Sequence, residues 1–395
     1  MSIKRLIVTA MVIAYCLPLM SCAEQARQGL ALNLKGKREI QRPDPACIGA
    51  SPKFTPPKAG RAPVIAGYYG VTDSLPVSTI NFKGLTHIFH NFLLADKNGI
   101  LKIEEGKMPS RELTTLAHKN NVRVILSLGG GAYKDFSYVT ANEKRMNQYV
   151  ESVMQIVDRY NYDGIDLDWE SFKTRQDGEK WEKLVRSLRK ELDKLSAKRE
   201  KKFELTTALE EKGAKVVRTE VILENLDFLN IMAYNGFGRW GGKAGAHASL
   251  YKPEKHEGAA VSECIKFWHK EKKIPMNRLV FGMPFYTWAC FGYKPGDTID
   301  PKSTSREVKP LGWAQICELK KKGWTREMDK KAAVAWYFSP DRKNFAGVDE
   351  PEVITIKTKW AKNKKFRGVF YWHMKWGLMP DGSTPQQDAM VNAWQ

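Results

Sequence analysis

The chain has no Cys-x-x-Cys pair and no cluster of histidines, although its 395 residues include six cysteines and seven histidines. Without the ligand spacing of a zinc site, no metal is expected. No glycine-rich turn has the spacing that cradles phosphate, which counts against a nucleotide-binding doubly wound sheet. Zinc-finger spacing and the aromatic signature of an RNA-binding sheet are also missing, so no nucleic-acid partner is expected. After the N-terminal apolar run, no segment is apolar enough to span a bilayer. Acidic residues are the scarcer charge, 44 against 64 basic, and the formal net charge is +20. Such an excess suits contact with anionic polymers or membranes. The basic residues are nevertheless scattered, as over 180–202, where Glu and Asp alternate with them, and this reads as a solvated surface.

Hydrophobic residues make up 43% of the chain, enough for a large core and too many for global disorder. The length accommodates one barrel of the roughly 250-residue kind with insertions. At the N-terminus, Lys4 and Arg5 precede an apolar run, Leu6 to Met20, too short for a comfortable transmembrane helix. It ends in Leu19-Met20-Ser21-Cys22, which resembles a bacterial lipobox. Residues 1–22 are therefore expected to be an export signal with Cys22 as the lipidated residue. The protein would be held at the outer membrane or cell surface by that lipid, or otherwise secreted. Residues 23–61 are polar, basic and punctuated by Pro43, Pro45, Pro52, Pro56 and Pro57, the composition of a tether. An exported chain permits disulfides among Cys47, Cys264, Cys290 and Cys317, and their pairing is open.

From about residue 62 short apolar strands alternate with amphipathic helices. Val64–Tyr69, Thr86–Leu93, Val122–Leu128, Gly164–Asp168, Phe203–Leu209, Phe228–Tyr234, Leu279–Pro284 and Gly368–Trp372 read as strands. Met146, Val150, Val153, Val157 and Tyr160 keep a helical spacing, as do Trp181, Leu184, Leu188, Leu192 and Leu195. Eight strands with helical crossovers predict an α/β fold, a (β/α)₈ TIM barrel over 62–395. More than eighty residues separate the last two strands. A small α+β insertion over about 289–348, on the catalytic face, accounts for them.

The stretch Asp163-Gly-Ile-Asp166-Leu-Asp168-Trp-Glu170 carries the chemistry. On a strand alternate residues share a face, so Asp166, Asp168 and Glu170 point one way and Ile165, Leu167 and Trp169 the other. Three acids on one face of a buried strand cannot all ionise comfortably, and at least one pKa must rise. A protonated carboxyl beside an ionised one suits glycoside cleavage, and the run stands at a strand end, where barrel enzymes place their chemistry. A calcium or magnesium site would need polar, Gly-containing turns in place of Ile, Leu and Trp.

This run resembles the Asp-x-x-Asp-x-Asp-x-Glu signature of glycoside hydrolase family 18, the chitinase-like family. Further matches follow in order: Ser127-Leu-Gly129-Gly130, Met232-Ala-Tyr234-Asn235, His247-Ala-Ser-Leu250-Tyr251, Gly282-Met-Pro284-Phe-Tyr286 and Gly368-Val-Phe-Tyr-Trp372. The resemblance implies a substrate-assisted, retaining hydrolase acting beside N-acetylglucosamine, with no cofactor. Glu170 would be the acid. Asp168 would orient the 2-acetamido N–H, Asp166 would share a proton with Asp168, and Tyr234 would donate to the acetamido oxygen. Trp372 would floor the cleaved sugar's pocket, with Tyr68, Phe89 and Met232 lining it. Gly130, Trp169, Asn235 and Tyr286 are counted with the sugar contacts. Two positions depart from the family pattern: Asn235 stands where Asp is common, and Thr287-Trp288 where many relatives carry Gly-Arg. The implied substrate is chitin or its oligomers. N-glycans, peptidoglycan and a non-catalytic sugar-binding role remain alternatives.

Overall fold

The computed structural model describes residues 63–395 except 71–74, 105–106 and 132–135. Cys22, the expected tether over 23–61 and Cys47 lie outside the described residues. Eight parallel strands form the barrel: β1 (Val64–Gly70), β2 (His87–Ala95), β4 (Arg123–Gly129), β5 (Gly164–Asp168), β6 (Glu204–Leu209), β7 (Phe228–Ile231), β8 (Leu279–Pro284) and β14 (Gly368–Trp372). Pairing of β1 with both β2 and β14 closes the ring. A two-residue strand, β3 (Leu101–Lys102), hangs antiparallel on the end of β2. The predicted (β/α)₈ barrel is the observed fold.

Two-residue periodicity sorts the strand side chains into two layers. Val64, Ala66, Tyr68, Phe89, Ile125, Phe228, Val280 and Phe370 fill the barrel interior. Their neighbours, among them Ile88, Leu126, Ile165, Leu205, Leu229 and Val369, face outward into the layer covered by helices. Helix Glu143–Tyr160 starts at Asn142, whose side chain accepts the Arg145 N–H, and ends at Asn161 in the left-handed region. Helix Arg175–Arg199 starts on a Thr174–Asp177 capping box and buries Trp181, Leu184, Leu188, Leu192 and Leu195. Among the described residues no helix is long and apolar enough to cross a membrane.

The strand expected over Phe228–Tyr234 ends earlier, at Ile231. There the Ala233 N–H turns back to the Ile231 carbonyl and leaves the ladder, so Met232 and Tyr234 stand just past the strand end. The insertion is a five-stranded antiparallel sheet, in the order β10 (Glu307–Gly312), β9 (Tyr286–Phe291), β13 (Asn344–Val348), β12 (Val334–Phe338), β11 (Thr325–Asp329). It begins at Tyr286, not near 289, because β9 follows β8 after a single residue, Phe285, whose N–H is bonded to the Trp372 carbonyl. One face of this sheet packs Cys290, Trp336, Phe338 and Phe345 against Ala244, Ala246 and Tyr293. The other packs Ala289, Tyr337 and Val348 against Trp313 and Ile316 of helix Trp313–Lys321. Among the described residues Cys264, Cys290 and Cys317 form no disulfide.

Candidate active site

The parallel pairing of β4, β5 and β6 places Ser127 beside Asp166 and Asp166 beside Thr206. Asp166 sits fully buried in the resulting polar nest. Its Oδ2 accepts the Ser127 hydroxyl at 2.8 Å and the Tyr68 hydroxyl at 3.0 Å, and its Oδ1 accepts the Thr206 hydroxyl at 2.7 Å and Asn230 Nδ2 at 3.4 Å. Burial raises the Asp166 pKa, and these four donors hold it down. Asp168, one layer nearer the mouth, is 3% exposed, and its Oδ1 has no hydrogen-bond partner. Burial first, then the charges of Glu170, Asp166 and Glu210, push Asp168 well above the usual carboxylate range. Glu170 is half-buried at the end of the run. Burial and then the charge of Glu210 raise it to about 7, against hydrogen bonds from Asp168 and the Gly131 N–H. Asp168 and Glu170 are hydrogen-bonded to each other and titrate as a pair around one shared proton. Asp163, by contrast, belongs to the scaffold. It accepts His118 Nε2, Lys201 Nζ and the Val124 N–H, each at 2.7 Å, and these partners outweigh burial and hold it at about 2.

Around the acids the mouth is aromatic. Trp372 stacks with Phe92 at 5.7 Å between centroids and tilts against Tyr68 at 5.3 Å. Met232, Tyr234 and Trp372 cap the interior cluster. Tyr234 is kept protonated by burial and by its neighbours Tyr286, Asp168, Glu170 and Glu210. Gly130 has φ +92°, and a Cβ there would meet the Phe92 ring at 2.4 Å, so only glycine lets that ring lie down. The Asn235 side-chain Oδ1 accepts the Tyr286 hydroxyl at 2.6 Å, Trp288 Nε1 at 3.2 Å and His247 Nδ1 at 3.4 Å. Five residues on from Asn235, Trp240 is 70% exposed beside Trp288. Among the described residues no group of three His, Cys, Asp or Glu is arranged to hold a metal ion.

The profile of Glycosyl hydrolases family 18 matches residues 64–376, four fifths of the chain, and that span includes every residue of this site. The chain belongs to Glycosyl hydrolases family 18. It is 26% identical to an endochitinase of Manduca sexta over 78% of this chain and 60% of that protein. It spans 42% to 62% of the length of several curated relatives, this one among them, and 89% of a class V chitinase of Medicago truncatula. Among solved structures, a chitinase-like agglutinin from Robinia pseudoacacia superposes with a TM-score of 0.71 at 24% identity, over 84% of this chain and 99% of the agglutinin. A chitinase from Cycas revoluta in complex with (GlcNAc)3 gives 0.72 at 21% identity, over 84% of this chain and 100% of that one.

Within this family member the acids, Tyr234, Met232, Asn235, Tyr286, Gly130 and Trp372 converge on one mouth. Three expected sugar contacts do not. Trp169 points away with Ile165 and Leu167, stacked on Phe136 and Phe172 in the outer layer, because strand alternation puts it there. Phe89 is fully buried beneath Tyr68, stacked at 4.7 Å, and fills the interior. Tyr68 itself is 1% exposed and acts on Asp166 through its hydroxyl. Phe92 takes the place expected of Phe89. The ladder between β2 and β4 shifts between His90 and Leu93, and this irregularity turns Phe92 toward the mouth. Thr206, Asn230 and Glu210 are site residues that sequence reasoning missed. Their signal was available, since each is a polar residue at an inward phase of an apolar strand or just past its end.

Proposed function

We propose that this chain hydrolyses β-1,4 linkages beside N-acetylglucosamine in chitin or chitooligosaccharides, with retention of configuration and assistance from the substrate. One observation carries the reading: Asp168 Oδ1 is a buried, unpartnered acceptor next to Glu170, whose carboxyl is raised toward neutrality. A buried acceptor without a donor is costly unless a ligand supplies one, and an acetamido N–H is such a donor. Glu170 gives its proton to the glycosidic oxygen as the bond from that oxygen to the anomeric carbon breaks. The bonding pair leaves with the oxygen. The acetamido carbonyl oxygen attacks the anomeric carbon and closes a cyclic cation, whose N–H is held by Asp168 while Tyr234 steers the oxygen. Water then opens the ring, and the Glu170 carboxylate takes the proton from the water. Asp166, fixed by its four donors, keeps a second carboxyl under Asp168 and so helps hold the shared proton on the pair.

Because a chitinase-like agglutinin has the same fold, the fold alone does not decide between catalysis and binding. The complete set of acids favours catalysis. Export, with a lipid on Cys22 holding the enzyme at a membrane or cell surface, completes the proposal. The test is to assay the purified protein on chitin oligomers, a high-mannose glycopeptide and peptidoglycan. Cleavage of the oligomers is expected. Cleavage of only the glycopeptide or only peptidoglycan would reassign the substrate, and binding without cleavage of any would leave a lectin.

A further inference from the structure

Glu210 has no counterpart in the carboxylate signature, yet the barrel brings it to the same place. The register of β5 against β6 sets Asp166 beside Thr206 and Asp168 beside Ala208. Two residues further along each segment come Glu170 and Glu210. The Thr206 hydroxyl bond to Asp166 fixes the phase of β6, so the alternation that sends Thr206 and Ala208 inward sends Glu210 to the mouth as well. Glu210 also occupies the N-cap position of helix Glu211–Val216. It makes no side-chain capping bond there, which is the ordinary structural use of a carboxylate at that point. Like Glu170, it is half-buried.

We propose that Glu210 is a fourth carboxylate of the active site, a positioning residue whose negative charge keeps the transferable proton on Glu170. This inference rests on the reading of Glu170 as the acid. The groups that face Glu170 are Asp168 from β5, the Gly131 N–H after β4, Tyr234 after β7, Tyr286 on β9, and Glu210 after β6, with Asp166 behind Asp168. Burial and then Glu210 raise the affinity of Glu170 for its proton, whereas the contacts with Asp168 and Gly131 lower it. Glu210 in turn faces Asp168, Glu170, Tyr234 and the Cys264 thiol of helix Val261–Lys266. That thiol is pushed up to about 12 by burial and by Glu211 and Glu210, so it stays neutral at working pH. The physical effect is simple. An isolated Glu titrates near 4.3 and would already have lost its proton at neutral pH. A like charge one strand away in a sheltered cleft opposes that loss.

Glu210→Gln tests the idea, because the amide keeps the shape and removes the charge. The titration midpoint of the Glu170 carboxyl, followed by ¹³C NMR and assigned with Glu170→Gln, is expected to fall in this variant. The ratio of kcat/KM at pH 8 to that at pH 6 is expected to drop roughly three- to tenfold, with the acidic side of the profile in place. Glu210→Asp, which keeps the charge and withdraws it slightly, is expected to shift both readouts less; if the Gln variant fails to fold, Glu210→Asp carries the test. An unmoved midpoint, or a uniform loss of activity at every pH together with a lower melting temperature, would overturn the proposal. The carboxyl titration does not depend on turnover. A chain that cleaves no N-acetylglucosamine oligomer, but whose Glu170 midpoint falls in the variant, would refute the proposed function and support the role of Glu210.

Discussion

Replacing Glu170 with Gln removes one proton from the site and little else. The amide oxygen can still accept the Gly131 N–H, and the side chain keeps its length at the strand end. What disappears is the acid. With Glu170 near 7, half of the sites are charged at pH 7, and protonation of the acid falls about tenfold per pH unit above that. In wild type the basic limb of kcat/KM should therefore begin close to neutrality. In the variant, general acid catalysis worth ~10²–10⁴ in rate is lost, a rise of about 3–5 kcal/mol in the barrel's transition-state free energy. Binding should change little, because Asp168, Tyr234 and Trp372, the proposed substrate contacts, remain. Stability should hold or rise slightly, since a half-buried like-charge neighbour of Asp168 becomes neutral. The assay pairs kcat on chitooligosaccharides with calorimetric binding of the same oligomers. A variant that retains a tenth or more of the wild-type kcat would refute the assignment of Glu170 as the acid. So would a kcat loss matched by an equal loss of binding.

Hydrolysis should release the retained anomer first, seen by proton NMR, and cellopentaose, which lacks the acetamido oxygen, should be inert; an inverted product or comparable cellopentaose cleavage would remove the substrate-assisted mechanism. Gly130→Ala puts a Cβ within 2.4 Å of the Phe92 ring at a left-handed φ, so it should cost about 1–3 kcal/mol in thermal unfolding and raise KM more than it lowers kcat. Asp163→Asn leaves Lys201 and His118 without their buried anion and should cost about 3–5 kcal/mol of stability with the chemistry intact. Because the folded Asp163 sits at about 2, below its unfolded value, its stabilisation is present above about pH 4 and is lost as pH falls through 2, which acid unfolding of wild type and variant will show as converging curves. Cys22→Ala should release the protein from membranes or trap it unprocessed; equal solubility of wild type and variant on fractionation would point to simple secretion.

How much of this was legible before folding depends on the range of the physics involved. Strand alternation and helical periodicity are local, so all eight barrel strands, the two long helices and the inward phase of Asp166, Asp168 and Glu170 could be read directly from the chain. Alternation also shows that Trp169 faces outward, which rules out the sugar contact expected of it. The same local rule, applied to Thr206, Asn230 and Glu210, would have flagged three more inward polar residues. Other features depend on contacts between distant segments. Phe92 replaces Phe89 at the mouth because the β2–β4 ladder shifts, and no residue in β2 announces that shift. Asn235 and Trp288 read separately as two departures from the family pattern. Only the meeting of the loop after β7 with β9 shows them to be one hydrogen-bonded pair. The acidity of Glu170 has the same origin. Its side chain is an ordinary Glu in the sequence, and its raised pKa comes from burial by the assembled barrel and from a carboxylate forty residues away, brought alongside by the register of two parallel strands.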